Sequence, residues 1–365
     1  MTLIQKSILS TLAIYDAAFN YPLTGFEVFK YLTNPLHLAE FYFSNQKNKD
    51  KKEQFIKIEE VKFGLDTIIT NLNSPSLKKF IGEKNGFYFL KDQPGKEKIV
   101  EERIERQKIS IKKWKEAKKS IFWLQLIPYL RMVMINGSVA LDNAHKDSDI
   151  DVLIIAKKNR LWTTRFFTTF LLQIIGRRRH GSLIRDRICL NHYISDNELE
   201  IKIRCLCDAQ LYAHLVPVLE IEKNNVKDKL FEFQKANYWI GNYIFFWPSL
   251  SREHPTRKVK YSSILRVIAN LGEILLDNKI GDLIERILKY LQKEIIKRNP
   301  EVKKGRIKIV DTQLIFHPLS PVKKTLEKYN QIMLNLGLEE LAKEKELDFF
   351  TVNNNIMAQS SKKGT

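Results

Sequence analysis

Cysteine is scarce in this sequence, which contains three cysteines among 365 residues. Three thiols cannot build a disulfide framework, so the small disulfide-stapled secreted folds are excluded and a reducing compartment is favoured. Cys205 and Cys207 are two residues apart, which in a strand would place both thiols on one face, but no second pair of Cys or His residues follows at zinc spacing. We therefore expect buried thiols instead of a metal site, in a cytoplasmic protein.

Long apolar runs are also missing. A membrane-spanning helix needs about 20 apolar residues, and Arg165 and Arg177 bracket the longest candidate. At the N-terminus, Asp16 interrupts the first apolar stretch and no small-residue cleavage site follows. We predict neither a membrane span nor a signal peptide.

Apolar residues and positive charge are abundant. Hydrophobic residues make up 44% and aromatic residues 11%, a globular composition in a chain long enough for two or three domains. The formal net charge is +19, which suits a polyanionic partner such as RNA, DNA or nucleotide phosphates. A need for solubility or a lysine-heavy coding bias explains the same excess of positive charge, so the net charge alone does not identify a partner.

Residues 1–95 carry the pattern of a small helical module. Apolar positions recur at helical spacing over 3–18, and Thr24 and Glu27 form a capping-box sequence that predicts the start of a second helix. A lysine-rich insert near 45–55 follows, and GLDTIITNLNS then predicts a third short helix.

A hairpin closes this module. In KKFIGEKNGFYFLKD, Asn85 and Gly86 can supply the two positive φ angles of a type I′ turn. Three helices followed by a hairpin is the order of a winged helix. The third helix contains Asp66 and is not basic, so a module that only packs against its neighbour is at least as consistent with the sequence as one that binds DNA.

A long charged helix is predicted over 96–123. Such a run is usually a solvated connecting face, but its basic second half could contact phosphates if it lay beside a catalytic cleft. The basic residues there are Lys112, Lys113, Lys115, Lys118 and Lys119.

Two aspartates stand out in an otherwise apolar strand. An apolar strand over 131–135 ends in a Gly-Ser pair, and DSDIDVLIIA, residues 147–156, is a second strand. Because side chains alternate along a strand, Asp149 and Asp151 face the same side, about 6.6 Å apart at their Cα atoms.

Two carboxylates aimed the same way suggest a cation. Magnesium suits them, because it accepts a few carboxylates and fills its other sites with water and substrate phosphates. Pairing with nearby lysines and arginines is the alternative, since unpaired like charges at the edge of a core are costly. The preceding pair favours the metal: Gly137 lets the backbone approach a triphosphate, and the Ser138 hydroxyl and neighbouring amides can hold phosphate oxygens.

The stretch NGSVALDNAHKDSDIDVLI resembles the motif of the nucleotidyltransferase superfamily, whose members share a DNA polymerase beta-like palm. Each element is present: a Gly-Ser pair, a variable turn, and a Ser-Asp-hydrophobic-Asp-hydrophobic strand. The similarity is greatest to small bacterial nucleotidyltransferases of the minimal type, and to uncharacterised bacterial proteins that join a helical N-terminal module to this domain. It covers about residues 120–205.

This resemblance implies transfer of a nucleoside monophosphate from an NTP to a hydroxyl or phosphate acceptor, with two magnesium ions. Gly137 and Ser138 would bind the triphosphate, and the catalytic pair Asp149 and Asp151 would ligate the metals. Three cations that follow the strand could also meet nucleotide phosphates, although surface charge is the commoner explanation of each. The three are Lys157, Arg160 and Arg165.

The family also has a third carboxylate on a later strand, and here the sequence departs from it. That strand is expected at 187–195, where the central residue is Asn191. An amide oxygen can ligate a cation but carries no charge and accepts no proton, so Asn191 would be a weak third metal ligand. Asp186 or Asp196 could substitute through a shift of register. Two hypotheses stay open: an active nucleotidyltransferase, and a catalytically inactive nucleotide- or nucleic-acid-binding regulatory or scaffold protein.

The remaining sequence, 206–350, is largely helical by its apolar spacing, as in a packed bundle, and the polar tail 351–365 is expected to be disordered. The predicted architecture is α+β. It comprises a winged-helix-like module over 1–95, a nucleotidyltransferase palm with its leading helix over 96–205, and a helical C-terminal domain. The acceptor, the preferred NTP, with ATP one of four, and the oligomeric state are left open.

Overall fold

The fold comes from a computed structural model, which describes residues 1–44, 64–91, 96–221, 229–247, 255–298, 306–317 and 321–348. The lysine-rich insert near 45–55 and the tail 351–365 lie outside the described residues. None of the helices in these ranges is long and apolar enough to cross a membrane.

The N-terminal part combines short helices with a small antiparallel sheet, in the strand order β1-β3-β2. Its elements are α1 Leu3–Phe19, β1 Leu23–Thr24, α2 Gly25–Lys30, α3 Pro35–Ser44, α4 Leu65–Leu72, α5 Pro75–Lys78, β2 Ile81–Lys84 and β3 Phe87–Leu90.

The local sequence signals in this part are confirmed. The Thr24 hydroxyl accepts the Glu27 amide N–H and the Glu27 carboxylate accepts the Thr24 amide N–H, which closes the capping box and starts α2. Asn85 and Gly86 have φ angles of 55° and 79°, the combination that a type I′ turn needs between β2 and β3. The winged-helix assignment stays a prediction.

The central part contains the long helix and most of the main sheet. Its elements are α6 Ile99–Phe122, β4 Leu130–Ile135, α7 Gly137–Ala140, β5 Ile150–Ala156, α8 Leu161–Ile174, β6 Ile188–Ser195, β7 Ile203–Arg204, α9 Leu206–Ala213 and β8 Val216–Glu220.

The C-terminal part adds helices and three further strands. Its elements are α10 Lys229–Ala236, α11 Ile240–Tyr243, α12 Ser263–Leu276, α13 Lys279–Lys297, β9 Arg306–Ile309, β10 Gln313–His317, α14 Val322–Asn335 and β11 Leu347–Asp348.

Six strands form a mixed sheet in the order β8-β4-β5-β6-β10-β9. Strands β5 and β6 run parallel, and the other neighbours are antiparallel. Strand β5 is buried at every position except Asp151, which is half-buried. The strand begins at Ile150 instead of the predicted 147, so Asp149 lies in the turn just before it.

The hydrophobic core crosses the domain boundaries that the sequence suggested. Buried residues of α1 form one cluster with those of α9, α11 and α14, and the hydroxyls of Ser10 and Tyr329 are hydrogen-bonded at 2.8 Å. Strands β8, β9 and β10 belong to the main sheet although they follow residue 205. Residues beyond 205 therefore contribute strands and core side chains to the parts before them, because helical spacing predicts elements but not the core in which they pack.

Candidate active site

The two aspartates come together at the start of β5. Asp149 lies one residue before the strand and Asp151 is its second residue. A carboxylate oxygen of each and the Cys189 thiol of β6 all lie within 4.8 Å of one another. The pairing of the strands explains the third member, because Asp151 lies opposite Cys189. In the described part of the chain, no other Asp, Glu, His or Cys side chain joins this group.

Gly137 lies close to the two aspartates. Its φ angle is +68°, in the left-handed region, and a Cβ at this position would lie 2.5 Å from Asp151 Oδ2. The Asn136 amide N–H donates to the Asp151 carbonyl oxygen at 3.0 Å. Glycine was predicted here for the approach of a triphosphate, and the structure shows that the aspartate itself also requires it. Ser138 follows as the half-buried second residue of α7.

Asn191, the predicted third ligand, lies beside the pair but presents its nitrogen. Asn191 Nδ2 donates to Asp151 Oδ1 at 2.7 Å, and the residue is buried. In this arrangement Asn191 orients the carboxylate as a hydrogen-bond donor, and its part as a third metal ligand stays a prediction.

A cation that the sequence analysis did not single out completes the group. Arg179 Nη1 lies 3.0 Å from Asp149 Oδ2 and 3.2 Å from Cys189 Sγ. The Arg179 amide N–H donates to the Ile188 carbonyl at 3.0 Å, which holds the segment GRRRHG alongside β6. In the sequence, the signal for this cation was the run of three arginines just before the strand that was expected to carry the third metal ligand. The Arg179 side chain is 39% exposed, so ligands can reach it from solvent.

The electrostatics of the pair favour a bound cation. Burial, and then the charge of Asp149, raise the pKa of Asp151 to about 7, because two carboxylates held together with little water resist ionisation. Burial also raises the pKa of the Cys189 thiol, which therefore stays neutral near pH 7. Two carboxylates are a donor set that fits magnesium, whereas a neutral thiol is a poor ligand for a hard cation.

A buried lysine of α6 holds the turn before Asp149. Lys113 Nζ donates to the carbonyl oxygens of Lys146 and Ser148 at 2.9 and 2.7 Å, and to Asp186 Oδ1 at 2.7 Å. Only 2% of the Lys113 side chain is exposed. The phosphate contact considered for the basic half of this helix therefore does not apply to Lys113, which positions the aspartate turn.

The two acids considered as substitutes for the third carboxylate have other partners. Asp186 pairs with Lys113, and Asp196 accepts the Lys158 amide N–H at 2.8 Å, beyond the far end of β6. Neither joins the group around Asp149 in the described ranges. The prediction that one of them substitutes for the missing acid is not supported.

The three cations assigned to phosphate binding lie at the other end of β5. Along the strand, Lys157 is about 20 Å from Asp151. Each of the three contacts the C-terminal helices or their connection. The pairs are Lys157 with Asp277 (2.9 Å), Arg160 with Asp282 (2.7 Å) and Arg165 with Gln292 (2.5 Å). These contacts attach those helices to the main sheet, and the part of the three residues in nucleotide binding stays a prediction that their partners do not favour.

A second group of possible metal ligands lies in the N-terminal core. The ligand atoms of Cys205, Cys207 and Asp208 lie within 4.8 Å of one another, and all three residues are buried. Cys205 caps α9, so the thiols lie at a helix start and not on a strand as expected. Burial raises the pKa of the Cys205 thiol. A closed zinc site needs four ligands and the described residues supply three here, which fits the predicted buried thiols.

A cleft of about 270 Å³ opens between the N-terminal part and the segment that follows α7. Arg103 and Arg257 line it, and both are already paired, Arg103 with Glu27 at 2.7 Å and Arg257 with Asp142 at 2.5 Å. Charge in this cleft is balanced within the protein, whereas the pair at the start of β5 shares one partly exposed arginine.

Comparison with known families identifies this region of the chain. A family model described as a nucleotidyltransferase domain matches residues 115–236, whereas the comparisons with curated proteins and with solved structures give no match. The matched segment contains Gly137, Ser138, Asp149 and Asp151, and the resemblance to the superfamily inferred from these residues is confirmed. Residues 115–236 of this chain therefore match a nucleotidyltransferase domain.

Proposed function

We propose that this domain transfers a nucleoside monophosphate from an NTP to an acceptor with a hydroxyl or phosphate group, in a magnesium-dependent reaction. The observation that supports this function is the convergence of Asp149 and Asp151 beside Gly137, with Arg179 as a partly exposed ionic partner. Two adjacent carboxylates that oppose each other's ionisation destabilise the folded protein when no ion is bound, and they form a favourable site for a cation.

Each residue of the group has a part in this proposal. Asp149 and Asp151 ligate the cation, which when bound neutralises charge on the reacting phosphates. Asn191 orients Asp151 through one oxygen and leaves the other for the metal. Gly137 and Ser138 hold the triphosphate through backbone amides and the serine hydroxyl.

Arg179 exchanges partners in this proposal. Without a cation it pairs with Asp149 at 3.0 Å. With a divalent ion held by Asp149, the guanidinium would be free to contact the triphosphate, for which its planar set of donors is well suited. Lys113 keeps the turn of Asp149 in place throughout.

A catalytically inactive module that binds nucleotide or nucleic acid is the second candidate. It is favoured by Asn191, which stands where the resemblance predicts an acid, and by Arg179, which already supplies positive charge to Asp149. Without the third acid, the domain lacks one group that could accept a proton from the attacking oxygen. The net charge of +19 suits a polyanionic partner in either case.

The test is a calorimetric titration of each of the four NTPs, with and without magnesium. The proteins are the wild type, the double variant Asp149→Asn/Asp151→Asn, and Asp147→Asn as the matched control. Asp147 is an exposed acid in the same turn that does not belong to the group. We expect magnesium-dependent binding in the wild type and control, and at least ~100-fold weaker binding in the double variant, since charge-assisted contacts are lost.

Other outcomes separate the two candidates. NTP binding that needs no magnesium, survives the double substitution and is lost in Arg179→Gln would favour the inactive module. Failure of the folded wild type to bind any NTP would contradict both. Turnover is then measured as pyrophosphate release, which the double variant must lack if the first candidate is right.

A further inference from the structure

The helices α12 and α13 pack on the palm through polar side chains. The Glu273 carboxylate of α12 accepts from Arg131 at 3.0 and 3.2 Å, and both residues are buried. The Glu285 carboxylate of α13 accepts the amide N–H groups of Trp162 and Thr163 at 2.9 and 2.8 Å. A helix packed on a domain usually places its apolar residues there.

Most of the large apolar residues of both helices face outward instead, although Ile296 of α13 is buried and Leu288 packs against the core. Six on α12 are between 51% and 73% exposed: Ile264, Val267, Ile268, Leu271, Ile274 and Leu275. Their spacing of three or four residues places them in one stripe. Six more large apolar residues of α13, from Ile280 to Ile295, are between 48% and 68% exposed. We call these twelve side chains the outer face.

The part of the outer face on α12 carries no charge. The two charged residues of that helix, Arg266 and Glu273, are both buried. At the connection, a Cβ on Gly281 would lie 1.7 Å from the Leu276 carbonyl oxygen, so the start of α13 approaches the end of α12 as closely as glycine allows. The two helices therefore meet directly, with an apolar stripe on each side of the connection.

The size of the outer face indicates what covers it. At roughly 100 Å² for each exposed side chain, it presents on the order of 1,000 Å², against about 300–600 Å² for the largest apolar patch of a typical monomer. A stable interface buries about 800 Å² per partner. Interfaces between different, transient partners are no more apolar than the average surface, whereas homodimer interfaces are.

We propose that two copies of this chain associate through the outer face around a twofold axis, so that α12 and α13 of one copy cover α12 and α13 of the other. A twofold pairing places the same patch on both sides of the interface, so the outer face covers itself and no second apolar surface is needed. Four helices then enclose one apolar layer, as in a helical bundle.

The test is the solution mass, measured by sedimentation velocity from about 1 to 100 μM protein, a range that spans typical dimer affinities. We expect the wild type at twice the chain mass of 42.9 kDa. The double variant Leu271→Glu/Ile274→Glu should dissociate at least ~100-fold more readily, because it places charge at the centre of the apolar layer. The control Leu334→Glu, which places one glutamate at an exposed leucine of α14, should leave the dimer intact, as each single substitution of the double variant should not.

A second measurement guards against a variant that unfolds. Hydrogen exchange of the wild-type amides in 263–297 should slow as concentration rises, with no such change in α14. A wild type that stays monomeric at 100 μM overturns the proposal, as does a folded double variant that stays dimeric. Monomeric wild type that binds anionic phospholipid vesicles through 263–297 would assign the outer face to a membrane surface instead.

Discussion

Charged residues lie at both ends of β5, but their charge is neutralised differently at the two ends. At the end of the strand, which we call the closed end, Lys157 and Arg160 meet acids of the C-terminal helices at 2.9 and 2.7 Å. At its start, the open end, Asp149 and Asp151 lie together with Arg179, which is 39% exposed. Charge at the closed end is satisfied within the protein, whereas the two carboxylates at the open end share one partly exposed arginine.

This difference shows what a charged residue at a strand end means. In the sequence, Asp151 interrupts an apolar strand and Lys157 follows it directly, and each could be given a role at a nucleotide site. Only the tertiary partners separate them, because a buried charge with a good counter-ion is structural and a pair of like charges is costly without an ion. Removal of a carboxylate should therefore destabilise the protein at the closed end and stabilise it at the open end.

The largest expected effect lies at the closed end. Glu273→Ala leaves Arg131 and Arg266 buried without their carboxylate, and breaking a buried pair of this kind costs about 3–5 kcal/mol. Urea denaturation measures the loss, and nucleotide binding by the folded fraction should not change. Glu294→Ala, in an exposed pair with Lys297, is the control and should show no measurable loss. A small loss in Glu273→Ala would mean that the closed end is held by other contacts.

At the open end, removal of charge should stabilise the protein. The pKa of Asp151 is about 7 in the folded protein against an ordinary 3.8, so between about pH 4 and 7 the folded chain binds more protons than the unfolded chain and its unfolding free energy falls as pH rises. Asp151→Asn removes this fall, which amounts to on the order of 3 kcal/mol. Urea denaturation in chelator at pH 4.5 and 8 measures it.

The control for this prediction is Asp147→Asn, which should keep the wild-type pH dependence because Asp147 is exposed. Saturating magnesium should restore wild-type stability at pH 8 and leave Asp151→Asn unchanged, since an ion bound between the aspartates favours the ionised carboxylate. Identical pH profiles for the wild type and Asp151→Asn would show that Asp151 is ordinarily ionised and that the open end is less crowded than its geometry indicates.

Two glycines with nearly the same φ angle allow the cost of backbone strain to be distinguished from the effect of a steric contact. Gly137 and Gly337 have φ of +68° and +70°, but only at Gly137 would a Cβ meet another group, Asp151 Oδ2 at 2.5 Å. Alanine at either position should cost about 1–2 kcal/mol of left-handed strain. Gly137→Ala should also weaken magnesium-dependent nucleotide binding at least ~10-fold by moving the carboxylate. Equal binding by the two variants in calorimetry would contradict the role of Gly137 at the open end.

Features set by neighbours in the sequence could be predicted well. The capping box at Thr24 and Glu27 and the turn at Asn85 and Gly86 depend on hydrogen bonds and φ angles within four residues, so the sequence contains all that determines them. The approach of Asp149 and Asp151 was predictable for the same reason, because they are two residues apart.

Features set by distant partners could not be predicted. Arg179 reaches Asp149 only because the segment that contains Arg179 lies alongside β6. This packing brings together two residues that are 30 positions apart in the sequence. The outer face of α12 shows the same limit. Its apolar stripe predicted a helix in a packed bundle, but the spacing is identical whether the stripe faces the core or solvent, and Glu273 reverses the expected orientation by pairing with Arg131.

The smallest expected effect is also at the open end. In Arg179→Gln, magnesium alone should bind several-fold more tightly, because the ion no longer competes with a guanidinium 3.0 Å from Asp149. Stability should hardly change, since exposed ion pairs contribute little, and NTP affinity should fall as a phosphate contact is lost. Arg178→Gln, in the same run of arginines but directed to Gln173 at 3.4 Å, is the matched control. Magnesium affinity that is unchanged or weaker in Arg179→Gln would show that Arg179 does not occupy the cation's place, and the start of β5 would then be as closed as its end.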